Sequence, residues 1–469
     1  MREKTLWEIY GAEDLKAMEE TCRWYMDCMD ASKTEREAAR VSVKLAEEAG
    51  YTNLKDAIAE GRELKAGDKV YAVYNEKLLI LYHIGEDNLE QGMNILGAHI
   101  DSPRLDVKQN PLYETDGFAY MDTHYYGGIK KYQWVTIPLA LHGVVVKKDG
   151  TIVDVNIGED DRDPVFTITD VLPHLGAAQM DKKASVVIEG EKLDLLIGSK
   201  PLITKDEGEE DEEKNEGVKA AILKLLEEKY GMEEEDFLSA ELEIVPSGKA
   251  RELGLDRSMI LAYGHDDRIC AFTSLKALLE QKETPKRTSC CLLVDKEEIG
   301  SYGASGMQSM FFENMTAELL ALCGKESPLA VRRCLQNSKM LSSDVSAAYD
   351  PLFPEVYEKK NTAFFGKGLV FCKFTGARGK SGSSDANPEF MAAIRKIFDD
   401  NGVAFQTAEL GKVDVGGGGT IAWIAARYGM EVIDSGVALL CMHAPMEIAS
   451  KADIYEAVRG YKAFLKDME

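Results

Sequence analysis

Five short apolar runs in this 469-residue chain each end in a side chain that can bind a metal or move a proton. MNILGA (93–98) runs into His99, MILAYG (259–264) into His265-Asp266-Asp267, and CCLLV (290–294) into Asp295-Lys296-Glu297-Glu298. KMLSS (339–343) runs into Asp344, and VALLCM (437–442) into His443. Runs of this kind read as buried strands. The carboxyl edge of an open α/β sheet is where ligands bind. Imidazoles and carboxylates gathered at that edge are the donors that borderline divalent ions take, with zinc favoured by imidazole. A lone histidine at a strand end is usually structural, and a lone aspartate before a helix is usually a cap. The conjunction of five is what points to a metal site.

Two spacings sharpen this. In His99-Ile100-Asp101 the first and third side chains share a face of extended chain. Asp101 can then accept the imidazole's second N–H, fixing the tautomer and raising ligand basicity. Adjacent Glu297 and Glu298 diverge if their segment is extended, so one can hold metal while the other meets a water, as a general base must. Histidines 83, 124, 142 and 265 read as structural, with His265 at most an outer partner of Asp266. Gly379-Lys380-Ser381 fails as a phosphate loop, because position 374 is Phe374 where glycine is required. There is no G-x-S-x-G and no H-E-x-x-H, so serine hydrolases and helix-motif zinc proteases lack support.

These residues need a scaffold. The first ~85 residues read as helical, with a capping box from Thr34 to Glu37 and a stop at Gly50. From about 105 to 250 the texture is β-rich: WVTIPLALHGVVV, TIVDVNIG and ASVVIEG, the first two joined by the turn signal KKDGT. The acidic run KDEGEEDEEKNE (205–216) reads as a solvated loop. Beyond 255, apolar strands alternate with amphipathic helices. One carries Phe272, Leu275 and Leu279; another opens at Asn387-Pro388; the last is capped by Ser450 with Asp453. The expected architecture is α/β: a central mixed sheet flanked by helices and buried on both faces. Residues 1–104 and 251–469 build it, and a β-rich domain at 105–250 interrupts it.

Acids outnumber bases by 81 to 56, giving a formal charge of −25. Such a surface repels phosphate backbones and anionic lipid, so neither nucleic acid nor membrane is an expected partner. No run approaches the ~20 apolar residues of a membrane span. The charged start MREKTLWEIYGAEDLKAMEE does not read as a secretory leader. Nine cysteines, an odd number without a C-x-x-C pair, suggest reduced thiols and a cytoplasmic location.

AHIDSP, DKEEIGS, SSDVSAAYDP and CMHAP, in that order, resemble the aspartyl aminopeptidase family of dinuclear zinc exopeptidases in its bacterial form. The resemblance implies two Zn²⁺ per subunit, with Co²⁺ or Mn²⁺ able to substitute. His99, Asp266 and Asp344 would hold one ion, and Asp266, Glu298 and His443 the other. Asp266 would bridge them, Glu297 would be the base, and Asp101 the histidine-orienting carboxylate. Two such ions against three ligand carboxylates leave one positive charge, which a hydroxide neutralises. The substrate would be a peptide with a free N-terminus.

The resemblance also makes the β-rich insert a dimerisation domain, and the assembly a tetrahedral dodecamer of dimers. His174, in VLPHLGAAQM, would reach from one subunit into its partner's site and bind substrate there. GHDDRIC and GARGKSGSSD stand nearer to bacterial members, and to a glutamyl-type aminopeptidase family, than to eukaryotic aspartyl enzymes. An acidic first residue would need a cation in its pocket, for which Lys373, Arg378 and Lys380 are the candidates. Gly416 to Gly419 would let backbone approach substrate or simply form a tight turn. Rival readings are an N-acyl amino acid deacylase using the same dinuclear site, and a non-enzymatic assembly protein.

Overall fold

Leu79 and Leu81 pack into one hydrophobic core, while Ile80 and Tyr82 of the same strand pack into another. That alternation is the signature of a strand covered on both faces. The computed structural model describes residues 4–205 and 213–469. Its contacts divide the chain into two units. The larger comprises residues 1–102, 250–442 and 447–469, and the smaller residues 103–249 with 443–446.

The larger unit is built on a nine-stranded mixed sheet. Thr288–Val294, Met93–His99, Lys339–Ser343 and Glu431–Gly436 are its parallel centre. Leu78–His83 flanks them antiparallel on one side, and Leu369–Cys372 on the other. Helices Ala12–Asp30, Glu35–Glu48, His265–Leu279, Pro388–Asp400 and Lys451–Asp467 cover one face. Leu54–Glu60, Phe311–Leu322, Pro328–Asn337 and Ala422–Ala426 cover the other. The central strands are buried along almost their whole length, so apolar surface rather than alternation specifies them. Among the described residues no helix is long and apolar enough to cross a membrane.

Several expectations need correction. The N-terminal region is not wholly helical, because Lys69–Tyr74 and Leu78–His83 form a hairpin at the sheet's flank. Its turn residues Asn75 and Glu76 adopt positive φ without any glycine to announce them. Met259–Ala262 and Ala438–Leu440 are strands, yet they belong to a separate five-stranded sheet with Arg251–Leu253, Glu447–Ser450 and Ser346–Ala347. The helix at 265–279 is not amphipathic; nearly every residue in it is buried. At the last helix Ser450 makes no side-chain cap. Asp453 instead accepts from the amides of Gly366 (2.8 Å) and Gly368 (2.7 Å), tying down a distant loop. The capping box at Thr34 does form, with Glu37 N donating to Thr34 Oγ1 and Thr34 N to Glu37 Oε2.

The smaller unit carries a six-stranded antiparallel sheet in the order Ile152–Ile157, Leu139–Val146, Ala240–Pro246, Arg104–Thr115, Phe118–Tyr126, Leu195–Gly198. KKDGT is the turn between the first two, with Gly150 at φ 88°. ASVVIEG is not a strand: Ala184–Val186 is a 3₁₀ turn with Val186 exposed. A helix, Val218–Tyr230, was not expected there. Of the acidic run, 206–212 lie outside the described residues, and its flanks Leu202–Lys205 and Glu213–Gly217 pair antiparallel.

Candidate metal centre

His99 closes a buried parallel strand, and its ring is held from two sides. Nδ1 lies 2.9 Å from the Asp101 carbonyl and 3.2 Å from the Asp101 carboxylate. Nε2 lies 3.3 Å from Asp266 Oδ1 and 4.0 Å from Glu297 Oε2. An Nδ1–H donated to Asp101 leaves Nε2 as the lone-pair nitrogen, the tautomer a metal requires. Asp101 does more than orient the ring. Its two oxygens accept from the amides of Glu297 (3.1 Å) and Glu298 (3.2 Å). One carboxylate thus fixes both the imidazole and the glutamate turn.

That turn differs from the extended segment the paired glutamates suggested. Glu297–Ile299 is a 3₁₀ turn, entered through Lys296 at φ 68° and left through Gly300 at φ 98°. Both glutamates therefore come back over the sheet edge. Ligand atoms of His99, Asp266 and Glu298 all lie within 4.8 Å of one another, and so do those of His99, Asp267 and Asp344. The second group contains Asp267, to which the sequence reading gives no role, beside His99 and Asp344. A kink explains this. Asp266 (φ −80°, ψ 108°) and Asp267 (φ −115°, ψ 25°) are not helical, so neighbouring carboxylates can both face the cluster. Gly264 sets up the kink at φ 71°; a Cβ there would lie 1.6 Å from Arg268 Nη2. Buried Arg268 donates to the carbonyls of Gly264, Tyr263 and Ser32.

The electrostatics disfavour bare carboxylates at this depth. Burial pushes the Asp267 carboxyl well above the usual range; His99 opposes this, and Asp266 adds to it. Asp344 is raised likewise, by burial first and by Asp267 next. Asp267 Oδ1 is buried without a hydrogen-bond partner among the described residues. An imidazole, several carboxylates and an orphaned buried oxygen within ligand range are a donor set that a divalent ion satisfies. The residues present fit zinc.

The other sequence candidates are not members of those two groups. His443 groups with the smaller unit, where its Nδ1 faces the Gly128 carbonyl at 2.8 Å. His174 is exposed in the 3₁₀ turn Pro173–Leu175. Lys373 (2.5 Å) and Lys380 (3.0 Å) both pair with Asp385 at the surface, and Lys380 also covers the Phe374 ring. The side chain of Arg378 lies outside the described residues. The Gly416–Gly419 segment is tied by Gly418 N to the Thr375 carbonyl. The histidines expected to be structural have these partners: His83 meets Gln281, His124 the Tyr125 carbonyl, and His142 Glu159. His265 lies between the Tyr25 hydroxyl (2.6 Å) and the Ile260 carbonyl (3.2 Å), and burial pushes its pKa down to about 3. Two residues to which the sequence reading gives no role touch the cluster's backbone, Ser102 and Glu447.

A buried histidine–carboxylate cluster beside the carboxyl edge of a mixed sheet covered on both faces is the kind of site a metal-dependent enzyme of α/β architecture uses. The sequence profile described as aminopeptidase I zinc metalloprotease (M18) matches residues 28–465, and the chain belongs to this M18 family of zinc aminopeptidases. A probable M18 family aminopeptidase 1 from Clostridium acetobutylicum is 59% identical over 464 residues, spanning 99% of this chain and 98% of that one. The M18 aminopeptidase structure from Thermotoga maritima matches with a TM-score of 0.92 at 43% identity, both chains being covered completely. A more distant structure, the aminopeptidase 1 dodecamer of S. cerevisiae, shares the fold with a TM-score of 0.75 at 20% identity, covering 95% of this chain and 96% of that one.

Proposed function

We propose that this aminopeptidase binds two divalent ions per chain and removes single residues from peptides with a free N-terminus. His99, Asp266, Asp344, Glu298 and His443 would hold the ions, with Asp266 shared. When bound, the ions supply Lewis acidity and lower the pKa of water. The protein's own part is positional and protolytic. Glu297 accepts a proton from the attacking water and delivers it to the departing amine. Asp101 keeps Glu297 and His99 in fixed relation, and this double grip is the observation that carries the reading. The surrounding carboxylates attract the substrate's α-ammonium group, which favours action at the chain end.

His174 would complete a partner subunit's site, donating a hydrogen bond to the oxyanion that forms on the attacked carbonyl. Its exposed turn, with Val171, Leu172 and Leu175 also exposed, supports a contact with a second copy. By the same reading the chains would pair as dimers and assemble into a tetrahedral dodecamer; the S. cerevisiae protein of the same fold is a dodecamer. Nine cysteines, most of them buried, suit a cytoplasmic protein. The test is a panel of aminoacyl anilides beside their N-acetyl forms, run on zinc-loaded protein with its metal quantified. Anilide release from free-amine substrates alone is expected. Release of acetate from the blocked forms instead would mark a deacylase.

A further inference from the structure

Both peptide groups flanking the Asp266 side chain are held by side chains from other elements. The Asp266 N–H donates to Glu447 Oε2 at 3.0 Å, and the Asp266 carbonyl accepts from Ser102 Oγ at 2.6 Å. The helix cannot supply these partners. Its first-turn amides have none within the helix, and the chain at Asp266 is not helical. Ser102 and Glu447 are themselves buried. Glu447 stands directly across from Ala262, in antiparallel register with the strand that leads into the kink. In sequence Ser102 follows His99 by three residues, and Glu447 follows His443 by four. The two segments bearing the candidate histidine ligands therefore also bear the two clamps on the candidate bridging aspartate.

We infer that Glu447 and Ser102 are positioning residues: by gripping the Asp266 backbone they aim its carboxylate and so set the affinity of the centre for zinc. This rests on the reading of Asp266 as a ligand. Metal–ligand distances tolerate deviations of only about 0.2 Å. A peptide rotation at Asp266 moves its carboxylate by more than that. Partners one step removed from a metal typically change its affinity by about 10- to 100-fold. Glu447 acts here as a hydrogen-bond acceptor, so glutamine, which keeps an oxygen at the same reach, should serve. Alanine leaves a buried N–H unsatisfied.

The experiment titrates metal-stripped wild type, Glu447→Ala, Glu447→Gln, Ser102→Ala and Asp266→Ala with Zn²⁺ against a chromophoric chelator. Thermal unfolding of each metal-free protein runs alongside. The expected result is zinc affinity weakened about 10- to 100-fold in Glu447→Ala and Ser102→Ala, near wild type in Glu447→Gln, and lost at one site or both in Asp266→Ala. If the alanine variants unfold earlier without metal yet bind zinc like wild type, the residues are merely structural and the inference is overturned. A Glu447→Gln protein as weak as Glu447→Ala overturns the acceptor role. If Glu447→Ala does not fold, Ser102→Ala decides: wild-type affinity there overturns the inference. Failure of the underlying reading looks different, because Asp266→Ala would then bind zinc as wild type does.

Discussion

Asp101 and Asp385 each grip two neighbouring chain segments, one carboxylate with no exposed surface and the other open to solvent. Asp101 accepts from two backbone amides and faces an imidazole that ends a buried strand. Every partner has its direction fixed by the main chain. Asp385 is held by the ammonium tips of Lys373 and Lys380, all three about 44–45% exposed. Such exposed pairs contribute about 0–1 kcal/mol, because long side chains lose entropy to hold them and water screens them. Both places stand out in the sequence as candidates for function. What separates them is the partner: geometry precise enough for chemistry arises where a side chain answers to backbone.

The comparison breaks most visibly at Asp266. Asp266→Ala should abolish activity and remove zinc from the centre, read by metal analysis of the purified protein beside its turnover. Full activity would place the metal elsewhere. A smaller loss is expected at the exposed turn. His174→Ala should reduce turnover by ~10²–10³, as removal of an oxyanion donor does, with metal content unchanged. Mixing subunits of His174→Ala with those of Glu297→Gln should restore part of the activity if the sites are shared. A mixture still inactive after proven subunit exchange would refute the sharing.

Asp453 sharpens the same contrast without any metal. It is buried and grips backbone amides as Asp101 does, and burial pushes its carboxyl up to about 7 from 3.8. The folded state therefore holds this proton more tightly than the unfolded state does. Its contribution is complete below about pH 4, falls as pH rises, and is lost above about 7. Asp453→Asn should flatten that part of the melting temperature's pH profile; an unchanged slope would mean the group stays ionised. The smallest effect belongs to Lys373→Ala and Lys380→Ala. With Asp385 already neutralising one of them, kcat/KM ratios between acidic and neutral first residues should shift by at most about fivefold, the ~1 kcal/mol of an exposed pair. A hundredfold shift would return them to the substrate pocket.

Much of this architecture is legible in the amino-acid sequence, for identifiable reasons. Met93–His99, Thr288–Val294 and Lys339–Ser343 are apolar runs because both faces are covered, so they stand out by composition alone. Sheet membership does not. Met259–Ala262 looks like its counterparts yet pairs in another sheet, since a strand's partner is chosen by contacts remote in sequence. Asp267 is hidden because a kink, not a strand or helix period, turns it beside Asp266. The roles of Ser102 and Glu447 are hidden for a further reason: they bind main-chain atoms, which are the same at every residue and leave no spacing to read.

The central claim divides labour between two adjacent glutamates, one moving a proton and the other holding metal. Metal content and turnover measured together on Glu297→Gln and Glu298→Gln test it most directly. The account predicts that Glu297→Gln keeps wild-type zinc while its turnover falls by ~10²–10⁴, and that Glu298→Gln loses zinc from one site. Equal metal loss in both variants, or full turnover in Glu297→Gln, would contradict it.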